Sequence, residues 1–303
     1  AGIGPGHEVI TTPFSFVASA NAIVHAGAKP VFVDVDPVTG NLDPALVEAA
    51  VTPRTRAVLP VHVFGQPADM DEITHSARER RLIVIEDACE AIGARYKDRP
   101  AGSLGDAAVF AFYPNKQMTT GEGGAIVTSN REWDAAYRSI RNQGRAEHDQ
   151  WLDHSRLGYN YRMNEMSAAL GTVQLGRLDE LLAARDLVAT AYGKRLARVA
   201  GVTPPQIVPA TTRMSWFVYV IRLDEGLDRR QVMQDLERDG VPTRPYFPAI
   251  HQLAYYQEVL GLPTGTFPVA EDLARRSLAL PFYGAMPEED VDYTCERLAA
   301  AIS

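Results

Sequence analysis

Lys116 stands in the stretch Tyr113-Pro114-Asn115-Lys116-Gln117-Met118-Thr119-Thr120-Gly121-Glu122-Gly123-Gly124, just after the apolar run Ala107-Ala108-Val109-Phe110-Ala111-Phe112. A lysine in an irregular loop at the end of a buried strand is poorly placed to solvate a surface. Partial desolvation of its amine favours the neutral, nucleophilic form that builds a Schiff base. A second apolar run, Leu82-Ile83-Val84-Ile85, ends in Glu86-Asp87. A lysine and an aspartate at the ends of two buried strands suit pyridoxal 5'-phosphate (PLP) chemistry. The amine holds the aldehyde carbon, and the carboxylate keeps the pyridine nitrogen protonated so that the ring acts as an electron sink. The plainer readings are a surface lysine and an aspartate that caps a following helix. The pairing at two strand ends favours the cofactor.

Glu90, three residues past Asp87 on an expected helix, can face the same side. Gly121 to Gly124 read as a tight turn before a strand rather than as a phosphate cradle. Arg141, Arg145, Arg162 and Arg244 are candidates for a substrate diphosphate, because guanidinium forks match phosphate oxygens. Exposed helix faces are the plain alternative for the first two. His251 is a candidate at the substrate site, His62 reads as a satisfied core histidine, and Tyr255-Tyr256 reads as packing. The seven histidines (7, 25, 62, 75, 148, 154 and 251) show neither HxH nor HExxH spacing, so no metal site is expected.

These groups need a scaffold. At 303 residues the chain can bury a large core, and its length suggests about two domains. Short apolar strands alternate with helical stretches in the first half, the pattern of an α/β fold with a mainly parallel sheet. Strands are expected at Val31–Val35, Ala57–Val63, Leu82–Asp87, Ala107–Tyr113 and Ala125–Thr128. Helices are expected from Asp43-Pro44, where an N-cap precedes a first-turn proline, over Asp69–Arg81, and from Asn164 to about Ala197. After the break at Thr203-Pro204-Pro205, a strand over Trp216–Leu223 and a helix over Asp228–Asp239 suggest a smaller α+β domain. The expected division is a large domain over 1–185 and a small C-terminal domain over 186–303. In open α/β sheets, ligands bind beyond the carboxyl ends of the strands, which places Asp87, Lys116 and the segment around Phe16 at one crevice.

The net charge of −8 argues against a general nucleic-acid or acidic-membrane binder. Two cysteines, Cys89 and Cys295, with no paired spacing fit a reduced, cytoplasmic protein. No apolar run is long enough to cross a membrane.

The segments Glu8-Val9-Ile10-Thr11-Thr12-Pro13, Pro30-Val31-Phe32-Val33-Asp34-Val35-Asp36, Pro60-Val61-His62-Val63-Phe64-Gly65-Gln66, Glu86-Asp87-Ala88, Asn115-Lys116 with Gly121-Glu122-Gly123-Gly124, and Gly158-Tyr159-Asn160-Tyr161-Arg162 occur in that order. Together they resemble the DegT/StrS-type sugar-nucleotide aminotransferases, which have the fold type I architecture of PLP enzymes. The resemblance implies that Lys116 forms the Schiff base and shuttles a proton, and that Asp87 pairs with the pyridinium nitrogen. It implies that Phe16 packs on the cofactor ring and that Asn160 reaches the cofactor phosphate of a neighbouring subunit in a homodimer with shared sites. Thr243-Arg244-Pro245-Tyr246-Phe247, with His251 behind it, resembles the stretch near the sugar nucleotide, where Arg162, Arg244, Tyr246 and His251 are the expected substrate contacts.

The chain also departs from the family pattern. Glu90 stands where many members have Gln or His near the cofactor's phenolic oxygen, and resembles the subgroup that includes perosamine synthases. Ala111 replaces a phosphate-binding serine, and the Ser-Gly-Thr turn that grips the phosphate has no counterpart. Residues are therefore expected in front of Ala1. The implied activity is amino transfer from an amino acid, glutamate by expectation, to a nucleoside-diphosphate keto-sugar, a 4-keto-6-deoxy sugar being preferred. The alternatives are a non-catalytic regulatory or scaffold member and a PLP-dependent sugar dehydratase. Lys116 counts against both, since a scaffold needs no such lysine and the dehydratases carry histidine there.

Overall fold

The computed structural model describes residues 1–146, 150, 151 and 153–303, so that His148 lies outside the described residues. The first half runs through β1 (Glu8–Thr11), β2 (Lys29–Phe32), β3 (Thr55–Leu59), β4 (Ile83–Asp87), the short pair β5 (Arg95–Tyr96) and β6 (Arg99–Pro100), β7 (Ala107–Ala111) and β8 (Gly124–Thr128). Helices α1 (Ala18–His25), α2 (Pro44–Val47), α3 (Met70–Glu79) and α4 (Arg131–Arg141) connect or follow them. Six of these strands form one sheet in the order β2-β1-β3-β4-β7-β8. Every pairing in it is parallel except β7 with β8. The mainly parallel α/β sheet expected from the alternation is therefore present.

β1 is absent from the strands read off the sequence, and its chemistry explains why. Glu8 and Thr11 interrupt the apolar run, yet all four residues are buried. Burying Glu8 requires partners, and it has them: Thr52 Oγ1 donates to Oε2 at 2.5 Å and Arg54 Nη2 to Oε1 at 2.7 Å. Burial opposes the lowering of the Glu8 carboxyl, but the Thr52 bond, the largest influence, wins and holds it below its usual range.

The Asp43 side chain accepts from the Ala45 amide at 2.9 Å, the cap expected ahead of Pro44. By contrast, the helix expected after Asp87 does not form; residues 89 and 90 turn instead. The long helix expected over 164–197 is two, α5 (Glu165–Gly176) and α6 (Leu178–Leu196), broken at Arg177 with φ −106° directly after Gly176. Glycine is a weak helix former, and the sequence pattern gave no other warning of the break.

The second half comprises β9 (Val202–Thr203), β10 (Thr211–Arg213), β11 (Tyr219–Leu223), α7 (Arg229–Arg238), β12 (Arg244–Pro245), α8 (Ala254–Leu260), α9 (Pro268–Arg276), β13 (Ser277–Leu280) and α10 (Glu288–Ala301). An antiparallel sheet in the order β12-β13-β11-β9 packs with α6, α7 and α10 around Tyr192, Tyr219, Ile221, Leu236 and Leu298. Each such side chain contributes roughly 1.5–3 kcal/mol by leaving water. The division expected at 185/186 falls inside α6, whose Val188, Tyr192 and Leu196 belong to this second core. The two halves also share packing. Phe247, Ile250 and Tyr256 join Phe14 and Phe32 in one cluster, and β10 pairs with β5. Among the described residues no helix is long and apolar enough to cross a membrane, and no three His, Cys, Asp or Glu side chains converge as metal ligands.

Candidate active site

Asp87 ends β4, and β4 pairs in parallel with β7, so the chain leaves both strands on the same edge of the sheet. After β7 the loop carrying Lys116 folds back on its own base. The Phe112 amide donates to Gly123 O at 2.9 Å, and the Thr120 amide and Thr119 hydroxyl both donate to Phe112 O at 3.0 Å. Gly121 and Gly123 take φ values of +79° and +155°, which side-chain-bearing residues rarely adopt. The loop is pinned, and Lys116 is delivered to a defined place.

That place is largely closed to water. The Lys116 side chain is 13% exposed, with Nζ 3.6 Å from Glu90 Oε1 and 3.8 Å from the centre of the Phe217 ring. Glu90 is fixed from two directions. Its Oε2 accepts the Phe64 amide at 2.9 Å, and its backbone carbonyl accepts the Gln117 side-chain amide at 2.5 Å. Burial pushes the Glu90 carboxyl up to about 7, against the pull of the Lys116 ammonium and the Phe64 amide.

Asp87 is partly open rather than sealed. Ser19 Oγ donates to its Oδ2 at 2.7 Å, and the Cys89 amide donates to Oδ1 at 3.2 Å. The neighbouring Cys89 is no nucleophile: burial, reinforced by the Asp87 charge, pushes its thiol far up.

The second half of the chain completes the site, and Gly65 explains how. With φ +98°, a Cβ at Gly65 would lie 2.8 Å from the Trp216 nitrogen. The close approach lets the Ser215 amide donate to Gly65 O at 3.0 Å and the Phe217 amide to Phe64 O at 3.2 Å, which sets Phe217 beneath the Lys116 amine. Gln117 Nε2 also donates to Ser215 Oγ at 2.7 Å, and Ser215 Oγ donates to Ile92 O at 2.6 Å.

The structure therefore brings together Lys116, Asp87 and Glu90 among the residues expected from sequence. Phe16, two residues before α1, is 61% exposed. Tyr246 lies on the rim, its ring 6.1 Å from Phe64 and 6.4 Å from Phe217. Burial, with the Glu90 charge adding to it, raises the Tyr246 phenol. Arg244 is exposed on β12, its Nη1 donating to the neighbouring Thr243 carbonyl at 2.8 Å. Asn160 and Arg162 are exposed on a separate segment joined to Asn142, by a backbone bridge and by an Arg162 Nη1 bond of 2.9 Å.

The His251 ring has no exposed surface, bonds Glu271 Oε1 through Nε2 at 3.0 Å and packs edge-on to Phe267. His62 is the core histidine expected. Its Nδ1 accepts the Ala68 amide at 3.1 Å, leaving Nε2 to donate to Glu86 at 2.9 Å.

Sequence reasoning missed Ser19, Gln117, Ser215 and Phe217. The first two lie beside positions already singled out, and their polar side chains are the signal available. Phe217 carries no local signal at all.

Comparison with known proteins agrees with this geometry. The DegT/DnrJ/EryC1/StrS aminotransferase family matches residues 1–299. The chain is 45% identical over 310 residues to the GDP-perosamine synthase of Caulobacter vibrioides, covering 99% of this chain and 80% of that protein. The crystal structure of DesV from S. venezuelae, in complex with a ketimine intermediate, superposes with a TM-score of 0.92 at 36% identity, covering 99% of this chain and 79% of that one. A Streptococcus pneumoniae protein solved in its PLP form superposes with a TM-score of 0.93 at 26% identity, covering 99% and 81%. Fold, paired strand-end residues and relatives converge: the chain belongs to the DegT/DnrJ/EryC1/StrS aminotransferase family.

Proposed function

We propose that the protein transfers an amino group from an amino acid, with glutamate as donor, to a keto-sugar carried on a nucleoside diphosphate, using PLP. The observation that carries this reading is the shielded Lys116 amine at the same sheet edge as the Asp87 carboxylate. The donor set suits the cofactor: an amine for an aldehyde, and a partly open carboxylate, held by Ser19 and the Cys89 amide, for a ring nitrogen. When bound, the cofactor supplies an electron sink for the carbanion formed at the donor's Cα.

The chain's own residues do the remaining work. Lys116 Nζ holds the cofactor and, once released, carries a proton between carbon centres. Asp87 keeps a positive charge on the ring nitrogen by standing next to it. The exposed Phe16 ring offers a stacking face, Asn160 a donor to the cofactor phosphate in a neighbouring subunit, and Arg162, Arg244 and Tyr246 donors for the diphosphate and sugar. Phe217 and Tyr246 reduce access of water to the amine.

A homodimer fits the surface. α5 buries none of its residues, and Met166, Leu170, Val173 and Leu175 are exposed along it. Contiguous apolar area of this kind marks an interface, and a second copy is the occupant proposed, in keeping with sites shared between subunits.

The acceptor to try first is a GDP-linked 4-keto-6-deoxy sugar, since a 45% identical relative is a GDP-perosamine synthase. The PLP-loaded protein, given glutamate and that sugar, is expected to yield 2-oxoglutarate and an amino sugar by mass spectrometry, with Lys116→Ala yielding neither. Amino sugar formed at the wild-type rate by Lys116→Ala would overturn the assignment.

A further inference from the structure

Phe217 walls the Lys116 amine because the backbone just before it is held in an unusual shape. Trp216 takes φ 51°, in the left-handed region that bulky side chains rarely enter, and it does so while only 5% exposed. The first half of the chain supplies part of the hold, through the Ser215 amide on Gly65 O and the Phe217 amide on Phe64 O. Those bonds use N–H groups and leave the Trp216 and Phe217 carbonyls to be satisfied elsewhere.

Two consecutive residues of α6 complete it. Arg185 Nη1 donates to Trp216 O and to Phe217 O, at 3.2 Å each, and Asp186 Oδ1 accepts the Trp216 indole N–H at 3.0 Å. The guanidinium also lies over the Phe282 ring, 5.5 Å from its centre, and Phe282 packs against Trp216 in turn. Among the described residues Arg185 forms no ion pair, and burial pulls its guanidinium below the usual arginine range with no carboxylate opposing. A half-buried cation set against two neutral carbonyls costs more than an aliphatic side chain would if filling space were its only task. The helix is a firm support. Leu182, buried one turn earlier, lies against Gly93 of the first half, while Val188 and Tyr192 belong to the second core.

We propose that Arg185 is a positioning residue for amino transfer: by holding the Trp216 and Phe217 carbonyls from α6, it keeps the Phe217 ring against the Lys116 amine and so keeps that amine shielded and in place. Arg185 acts through Phe217 and not on the amine directly. The inference rests on the catalytic role of Lys116 and adds the device that maintains its wall.

The test reads the shielding of Lys116 without any cofactor. The whole chain is treated with limiting sulfo-NHS acetate, and acetylation of Lys116 is compared by mass spectrometry with that of the exposed Lys29 and Lys194 in the same sample. Arg185→Met removes the donors but keeps a stem against Phe282. It is expected to raise Lys116 acetylation relative to those references about tenfold, the scale on which losing a hydrogen bond from a charged group shifts a local opening. Phe217→Leu is expected to raise it too. The two changes together should raise it no further than the larger single effect, because both remove the same wall.

Arg185→Lys keeps the charge and can donate to one carbonyl, so a rise of about threefold is expected. It is the deciding variant should circular dichroism show that Arg185→Met folds poorly. Turnover of the PLP-loaded protein is expected to fall in the same order, less for Arg185→Lys than for Arg185→Met. Wild-type acetylation of Lys116 in the folded Arg185 variants would overturn the positioning role and leave Lys116 as the Schiff-base lysine. So would effects of Arg185→Met and Phe217→Leu that multiply in the double variant. Full turnover by Lys116→Ala would instead remove the reading beneath it.

Discussion

Lys116 Nζ lies 3.8 Å from the centre of the Phe217 ring, so a residue from the second half of the chain forms one wall around an amine delivered by the first. The contact depends on the pairing of Gly65 with Ser215 and of Phe64 with Phe217. A desolvated cation over an aromatic face is worth up to about 2 kcal/mol. Phe217→Leu keeps most of the buried volume and removes the face. It is expected to lower kcat/KM about five- to tenfold while shifting Tm by only a few degrees, measured by steady-state kinetics and thermal melts. An unchanged kcat/KM would make Phe217 plain packing.

Asp87→Asn keeps one oxygen to accept the Cys89 amide and turns an NH2 toward the Ser19 hydroxyl, which can accept it, so the fold should persist. The charge facing the ring nitrogen is lost, and turnover is expected to fall at least about a hundredfold, the scale of removing a positioned electrostatic group. Near-normal kcat would mean the cofactor lies elsewhere.

Ser19→Ala tests how Asp87 is held. Ser19 Oγ donates to Asp87 Oδ2 at 2.7 Å, with Ser15 Oγ 3.0 Å beyond. A hydrogen bond to a charged group is worth roughly 1.5–3 kcal/mol. The expected outcome is a loss of about tenfold to a hundredfold in kcat together with a changed visible spectrum of the PLP-loaded protein. A wild-type spectrum and rate would remove Ser19 from the site.

Stability in acid should report on Glu86. Burial alone would raise its carboxyl, but bonds from His62 at 2.9 Å and from the Gly105 and Gly102 amides at 2.6 and 2.7 Å outweigh that and hold it below 4.5. A depressed folded value stabilises the protein above the unfolded value of 4.5 and loses that contribution as pH falls through the lower folded value. Denaturant midpoints are therefore expected to drop below about pH 4.5. Glu86→Ala, which leaves the Gly102, Leu104 and Gly105 amides and His62 without their acceptor, is expected to cost about 3–5 kcal/mol at neutral pH.

Charge on α5 should disrupt self-association. Met166, 83% exposed, and Val173 point outward from a helix that buries nothing. Replacing both with Glu is expected to convert a dimer to monomer in sedimentation while leaving the melting curve of the folded chain nearly unchanged. A monomeric wild type would reject the interface.

Lys116 and Asp87 were legible in the sequence because each follows an apolar run, and period and polarity mark where a buried strand ends. The parallel sheet was legible for the same reason, and so was the Asp43 cap, where an acceptor and Pro44 act within one turn. β1 was not, because Glu8 and Thr11 look like surface residues until Thr52 and Arg54 arrive to satisfy them. The surroundings of His251 were not legible either, because Glu271 and Phe267 close around its ring only in the folded chain. The wall at Phe217 and the clamp on Glu90 were decided by tertiary structure alone. They require two distant segments to meet at a glycine, and no local propensity or periodicity encodes which segments those are.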